Sequence, residues 1–517
     1  MLLPILLSAV QAAAPMVRAS PVPPRLVVSL VIDQLRPDYL ERWRPQFRGG
    51  LAWLLREGVF YANGEQDHAM TSTAAGHSTM LSGRSPASTG IIANDLGVPD
   101  RASPLIRSGG PGASPHRFRG TTLADWMVAR NPATRIFSIS RKDRGAIMAI
   151  GRARVPVYWY TQGTFTTSRY YADSLPSWLS AWNAREPATR LAGHAWELSR
   201  PAADYPEADA RPFERGGIRH VFPHVLSTDP VAAAVELEAH TLIDSLTLDA
   251  AWAGVRATGL GTDAITDLLA ISLSATDNIG HRYGPGSREV HDHLLNVDRW
   301  LGIFLDSLAT IVPLDQLVVS LTSDHGVTEY PEAGAGGRAS IGTEVTALNA
   351  WGRDTIGVRA GAVGYSGLLM ARTGDLAKRG VDIDSLAGAI AARVRRLPGV
   401  LTVYTPRTLR AARATDAEAG RWRRQLPSDA EWLVAASLRP GWIWGRVGGE
   451  TGHGTTNLDD RHVPILFRVP GTTPVRITRM VRTIDIGPTF AALLDIKPME
   501  RVEGVALREV LPKRSSR

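Results

Sequence analysis

The sequence predicts an α/β fold with a mostly parallel central sheet and helices on both faces. Three apolar runs carry that prediction: Leu26 to Ile32, Leu268 to Ser274 and Leu317 to Ser323. A strand with one wet face alternates apolar and polar residues. A strand buried on both faces, as in a parallel sheet, reads as a nearly unbroken apolar run. Helical segments lie between these runs: Leu51 to Arg56, Thr122 to Arg130, Val231 to Gly254 and Arg288 to Leu308.

Each run leads to an aspartate. Asp33 follows the first run directly and Asp324 the third. Asp277 comes shortly after the second, in Ala-Thr-Asp-Asn-Ile-Gly-His. The carboxyl edge of a parallel sheet is where α/β proteins place their ligands. Asp277 and His281 have the i, i+4 spacing that lets two side chains converge if the segment turns helically. His325 follows Asp324, and His453 stands in a Gly-His-Gly-Thr segment. His291 and His293, on the helix Arg288 to Leu308, read as solvated helix residues.

Between the strand Val59 to Tyr61 and Gly83 lies a hydroxyl-rich stretch, Met-Thr-Ser-Thr-Ala-Ala-Gly-His-Ser-Thr. It reads as a loop entering a helix at Thr73. The first N–H groups of a helix are unpaired and attract anions. Alone, the stretch would be an ordinary Ser/Thr N-cap. Beyond it come Asn94, in Gly-Ile-Ile-Ala-Asn, and the strand Arg135 to Ser140. That strand runs into Arg-Lys-Asp-Arg-Gly, where Lys142 and Arg144 are two apart. An extended segment would put both on one side. The rest of the closing half supplies the strand Val463 to Val469 and the helix Ile484 to Leu494.

Composition narrows the chemistry. The 517 residues carry 44% hydrophobic and 21% charged residues, as in a soluble globular protein, and a formal charge of +8. The positive charge is almost all arginine, lysine occurring only at Lys142, Lys378, Lys497 and Lys513. No basic run of the kind that grips nucleic acid is present. There is no cysteine, which removes disulfides, thiolate metal sites and any cysteine nucleophile. Residues 1–20 read as a signal peptide, with an apolar part from Met1 to Ala14 too short to span a bilayer. Residues 21–517 read as one catalytic domain, with insertions near 157–217 and 329–439. The expected location is the periplasm or the medium, with no membrane anchor once the signal is cleaved.

Three aspartates and three histidines, with no thiolate, suit two zinc ions. Two metals roughly 4 Å apart can clamp the attacking and leaving oxygens of an in-line phosphoryl displacement. The set Asp33, Thr73, Asp277-x-x-x-His281, Asp324-His325-Gly326 and His453-Gly454 resembles the alkaline phosphatase superfamily. Thr73 four residues before His77, Asn94, and Lys142-Asp143-Arg144 narrow the resemblance to its threonine-nucleophile alkaline phosphatases.

The resemblance implies a three-layer sandwich whose insertions form a cap. It assigns Asp277, His281 and His453 to one zinc, and Asp33, Asp324 and His325 to a second that also meets Thr73. It makes Thr73 the nucleophile, passing through phosphothreonine, and gives Asn94, Lys142 and Arg144 to the phosphoryl oxygens. Phosphate monoesters and inorganic phosphate are then the expected ligands of a monomeric enzyme of broad range. A further Ca2+ or Mg2+ ion is left open. One departure stands in the nucleophile segment, where Ala75 replaces the family's proline. Two other readings remain at this level: a phosphodiesterase or nucleotide pyrophosphatase on the same scaffold, and a non-catalytic binding protein that keeps the fold.

Overall fold

The computed structural model describes residues 23–106 and 111–511. The signal-peptide reading therefore lies outside the described residues. In chain order the principal strands are β1 (Leu26–Ile32), β2 (Val59–Glu65), β3 (Ile136–Ser140), β4 (Val157–Thr161), β5 (Thr164–Thr166), β6 (Asp267–Leu273) and β7 (Leu317–Thr322). They continue with β8 (Val363–Tyr365), β9 (Leu368–Met370), β10 (Val400–Tyr404), β11 (Trp432–Leu438), β12 (His462–Arg468) and β13 (Val475–Ile477). The helices used below are α1 (Gly50–Glu57), α2 (Thr73–Met80), α3 (Leu123–Arg130), α4 (Asp143–Ile150), α5 (Pro230–Leu237) and α6 (Leu242–Thr258). After these come α7 (Ala275–Tyr283), α8 (Arg288–Ala309), α9 (Ile383–Val394), α10 (Ala417–Gln425) and α11 (Ile486–Leu493).

The central sheet runs β13-β2-β12-β7-β1-β6-β3-β4-β5, with the short strand Val481–Arg482 also on β2. Only β12 and β5 run against the rest. All seven residues of β1 are buried, as its apolar run requires. Val28, Leu30 and Ile32 enter the core on one face, under α1, α6 and α8. Val27 and Val31 enter the core on the other, under α2, α3, α4 and α11. This is the three-layer arrangement predicted from the sequence.

In β1 and its neighbours, register does the positioning. Ile32 lies opposite Leu273 of β6, and Val31 opposite Thr322 of β7. The three strands therefore end together, and the residues that follow them share one edge. A second, antiparallel sheet, β8-β9-β11-β10, is built by residues of the 329–439 region and carries its own apolar core with α9.

Four details differ from the sequence reading. The segment from Val157 opens with β4 and β5, which belong to the central sheet, so its irregular part begins later. The helix expected from Val231 to Gly254 is two, α5 and α6. The chain bends between them as His240 and Thr241 turn into the core, with Thr241 Oγ1 2.8 Å from His293 Nδ1. His291 and His293 are buried rather than solvated. His291 stacks on Trp43 and pairs with Glu207 at 2.9 Å, so the polar face of α8 is covered by earlier parts of the chain. Finally, Lys142 and Arg144 do not share an extended segment, because Lys142 is the N-cap of α4 and Arg144 sits in its first turn.

Candidate metal centre and nucleophile

Asp33 and Asp324 leave the ends of adjacent strands and are fully buried. Asp277 is the third residue of α7, and His281 follows one turn later on the same face. The i, i+4 expectation thus holds: His281 Nε2 lies 3.1 Å from Asp277 Oδ1. His453 Nε2 approaches the same oxygen at 3.4 Å. His325 Nε2 lies 3.5 Å from Asp33 Oδ1 and from Asp324 Oδ2.

The three imidazoles are oriented alike. Nδ1 of His281 meets the Thr451 carbonyl at 2.7 Å, that of His453 the Thr71 carbonyl at 2.5 Å, and that of His325 the Gly326 carbonyl at 3.0 Å. A carbonyl can only accept, so each Nδ1 carries a proton, which leaves the Nε2 lone pair of each ring, when neutral, as the available donor. Those lone pairs turn toward the carboxylates. This is the usual way a protein prepares histidine as a metal ligand. Among the described residues the buried Asp33 Oδ1 accepts no hydrogen bond, while Asp324 Oδ2 has His77 Nδ1 beside it at 3.2 Å. An uncompensated buried carboxylate oxygen is costly, and a cation at that place removes the cost.

Two sets of donor atoms come within 4.8 Å of one another: Asp33, Asp324 and His325, and Asp277, His325 and His453. The first matches one expected ligand set. In the second, His325 takes the place expected for His281, although His281 also touches Asp277. The His325 and His453 rings stack with centroids 3.5 Å apart, which joins the two sets into one cluster. The donors are carboxylate and imidazole without thiolate, and they fit a hard or borderline divalent ion.

Charge is divided unevenly among the carboxylates. Burial, with Asp324 adding to it, pushes the Asp33 carboxyl well above its usual range. Burial also opposes the charge of Asp324, but His325 and His77 outweigh it and hold that carboxyl low. Asp277 is likewise held low against burial, by Lys142 and His281. Lys142 is 2% exposed. Its Nζ donates to Asp33 Oδ2 at 2.6 Å and to Asp277 Oδ2 at 2.5 Å, bridging the two halves of the cluster.

Thr73 is the first residue of α2, as the sequence predicts, and is almost wholly buried. Its Oγ1 lies 3.5 Å from His325 Nε2, against the cluster. Asn94 reaches the same helix end, where its Oδ1 accepts the Ala74 N–H at 2.9 Å. Arg144 is one-quarter exposed; among the described residues its buried Nε has no hydrogen bond, while Nη1 lies 3.5 Å from Asp143.

Sequence reasoning missed several supporting residues. Gln34 donates from Nε2 to Asp277 at 2.7 Å and from its backbone to Asp324 at 3.2 Å. Its positive φ of 65° at the end of β1 is unusual for a side-chain-bearing residue and marks a constrained position. Gly76 brings α2 so close that a β-carbon there would lie 2.2 Å from the Asp324 carbonyl. Gln425, from α10, accepts the Met70 N–H and donates to the Ile92 carbonyl, both at 2.8 Å. Of these, only the glycine has a sequence signal, its place in a small-residue stretch entering a helix.

A hydroxyl fixed beside a pocket ready for divalent metal is the equipment of a metal-assisted enzyme acting on phosphorus. Comparison with known proteins agrees. The model of the family "Type I phosphodiesterase / nucleotide pyrophosphatase" matches residues 27–426. Alkaline phosphatase PhoV of Synechococcus elongatus is 30% identical, over 94% of this chain and 93% of its own. Alkaline phosphatase PhoK of a Sphingomonas species is 30% identical, over 96% and 92%. The crystal structure of wild-type alkaline phosphatase PafA superposes with a TM-score of 0.87 at 26% identity, covering 96% of this chain and 100% of that one. The chain belongs to the type I phosphodiesterase / nucleotide pyrophosphatase family, and within it to the alkaline phosphatases, which are phosphoric monoester hydrolases.

Proposed function

We propose that this protein is an exported two-zinc phosphate monoesterase of broad range that works through a phosphothreonine at Thr73. One observation supports this most: three imidazoles anchored at Nδ1 turn Nε2 toward the buried carboxylates of Asp33, Asp277 and Asp324, beside a helix-first hydroxyl. Asp277, His281 and His453 would hold one ion, and Asp33, Asp324 and His325 the other, with His325 shared by contact. Bound there, zinc supplies Lewis-acid polarisation of phosphoryl and ester oxygens and lowers the pKa of a hydroxyl or water.

The chain's own residues do the rest. Thr73 Oγ1 forms the bond to phosphorus as the bond to the ester oxygen breaks, and the alcohol leaves with the threonine proton. Water then cleaves phosphothreonine, releasing inorganic phosphate and restoring the hydroxyl. Asn94 turns its amide N–H groups toward the phosphoryl oxygens. Lys142 has three donors and spends two on Asp33 and Asp277, so one remains for a phosphoryl oxygen. Arg144 adds a second cation at the same helix end. The leader expected in residues 1–20 would carry the enzyme to the periplasm or beyond, as a monomer.

The competing diesterase reading draws on the family's name. A phosphodiester carries less negative charge than a monoester dianion, so paired cations favour the monoester. The deciding measurement compares kcat/KM on a monoester and a diester with the same leaving group, in zinc-loaded protein. A monoester preference, abolished by chelation, restored by zinc and lost in Thr73→Ala with the fold intact, supports the reading. A diester preference, or full activity after verified metal removal, overturns it. Acid-quench labelling with phosphate should place the label on Thr73 and nowhere else.

A further inference from the structure

The second sheet reaches the site through one hairpin. β8 and β9 pair with Tyr365 opposite Leu368, which leaves a two-residue turn, Ser366-Gly367. Both turn residues have positive φ, 37° and 85°, as the tightest hairpin turns require. Serine is a costly choice for the first of them, since a β-carbon resists that conformation. Its position explains what the turn reaches. A β-carbon on Gly454 would lie 2.6 Å from Ser366 Oγ, so the turn rests directly on the residue after the candidate ligand His453. Gly454 itself has a φ of 100°.

The same hairpin is fixed on its other side to the segments that carry Thr73 and Asn94. Leu368 shares an apolar core with Ala69, Met70, Ile92 and Ala93, and Tyr365 packs against that core. Tyr365 is only partly buried. The core it packs against includes Ile92 and Ala93, which lead directly to Asn94. Tyr365 and Ser366 thus span from the Asn94 side of the site to the His453 side. They touch neither the carboxylates nor Thr73.

We infer that Tyr365 and Ser366 form the wall against which the leaving group lies, and that Tyr365 selects planar aromatic alcohols, such as phenols and nucleosides. This rests on the proposed reaction at Thr73. In an in-line displacement the leaving oxygen stands opposite Thr73 Oγ1, and the group attached to it must pass out between the floor of the site and whatever covers it. Ser366 lies over Gly454 at that floor. The part of a tyrosine ring left open to solvent can stack on a flat ring, while a methyl group gains little from it.

The test uses binding as well as turnover, on zinc-loaded full-length protein. Phenylphosphonate and methylphosphonate present the same phosphoryl group with and without a ring, and neither has an ester bond to break. In Tyr365→Ala the preference for phenylphosphonate over methylphosphonate should fall on the order of tenfold, the size expected for one stacking contact. Tyr365→Phe should keep it, and the Ki of inorganic phosphate should move less than twofold in both. The ratio of kcat/KM for phenyl phosphate over methyl phosphate should follow the binding ratio. Melting of Tyr365→Ala and Tyr365→Phe against wild type controls for damage to the hairpin. An unchanged phosphonate preference in Tyr365→Ala, or an equal loss on both phosphonates and on phosphate, overturns the wall. Loss of the proposed reaction reads differently, as absent turnover in wild type while the phosphonate preference still judges Tyr365.

Discussion

Asn94 holds the second N–H of helix α2: its side-chain oxygen accepts the Ala74 backbone proton at 2.9 Å. A backbone N–H can only donate, so this contact fixes which end of the amide is which. The NH2 group faces away from the helix, free to donate to a phosphoryl oxygen. Asn94→Ala should therefore lower monoesterase kcat/KM by about 10- to 100-fold, given about 1.5–3 kcal/mol for a hydrogen bond to a charged group. Asn94→Asp keeps the contact to Ala74 but puts an anionic oxygen where the donor was. Its loss should exceed that of Asn94→Ala, and the Ki of inorganic phosphate should rise with it. Equal rates in the two variants would mean that the amide nitrogen does not meet the substrate.

Lys142 and Arg144 should separate when changed singly. Lys142 lies between two buried aspartates, so Lys142→Ala removes the ammonium that bridges Asp33 and Asp277. Monoester and diester rates should both fall, by about 10²-fold or more on the monoester, at about tenfold per 1.4 kcal/mol. Arg144 makes no such bridge. Arg144→Ala should lower monoester kcat/KM by roughly tenfold, the cost of one charge-assisted contact, and diester kcat/KM much less. The measurement is the ratio of the two activities on substrates with one leaving group. An unchanged ratio in Arg144→Ala removes that residue from substrate recognition.

What the sequence made legible follows from how each feature is encoded. Asp33, Asp277 and Asp324 stand out because a strand buried on both faces advertises itself as an apolar run, and its end is then a known place. Asp277 and His281 are joined by a spacing that a helix turns into contact. The Lys142–Arg144 geometry was misread because an N-cap residue and a first-turn residue do not share a face, and nothing in Arg-Lys-Asp-Arg-Gly distinguishes a cap from an extended tail. His291 and His293 read as surface residues because their partners, Glu207 and Thr241, lie 84 and 52 residues away and leave no local trace. The Gln34 and Gln425 contacts span 243 and 355 residues and leave no local trace.

Gln425 ties the second sheet's region to the catalytic segments, and its removal should be felt in turnover. It is fully buried, and it pairs with Met70 and Ile92 at once. Gln425→Leu keeps the volume but leaves a buried N–H and a buried carbonyl unpaired, costing about 1–3 kcal/mol each. The melting temperature should drop by several degrees. Rates on phenyl phosphate and methyl phosphate should fall by the same factor, because Thr73 and Asn94 are displaced whatever the leaving group. A change confined to the aromatic ester would place Gln425 with Tyr365 instead.

The last expectation concerns pH. Asp244, on α6, is fully buried, and its Oδ1 accepts the N–H groups of Ser274 and Ala275 at the start of the helix that carries Asp277. Among the described residues its Oδ2 has no hydrogen bond, and it lies 3.5 Å from His293 Nε2. Burial pushes the Asp244 carboxyl up to about 7, although the Ala275 and Ser274 N–H groups pull it down. Burial likewise lowers His293 to about 3, so that imidazole is neutral and supplies no charge. An aspartate in the unfolded chain titrates near 4. Between about pH 4 and pH 7 the folded state thus binds a proton that the unfolded state has lost. Stability from this group is fully present below pH 4, declines as pH rises to 7, and is flat above. Each tenfold change in proton affinity is worth about 1.4 kcal/mol, so the deficit above pH 7 is on the order of 4 kcal/mol. Asp244→Asn keeps the oxygen that caps α7 and replaces the ionisable one with a donor toward His293. Denaturant titrations at pH 5 and pH 8 should show the variant more stable than wild type at pH 8 and little different at pH 5. If the two proteins keep the same difference at both values, Asp244 is ionised throughout in the folded protein, and the Ser274 and Ala275 N–H groups outweigh its burial.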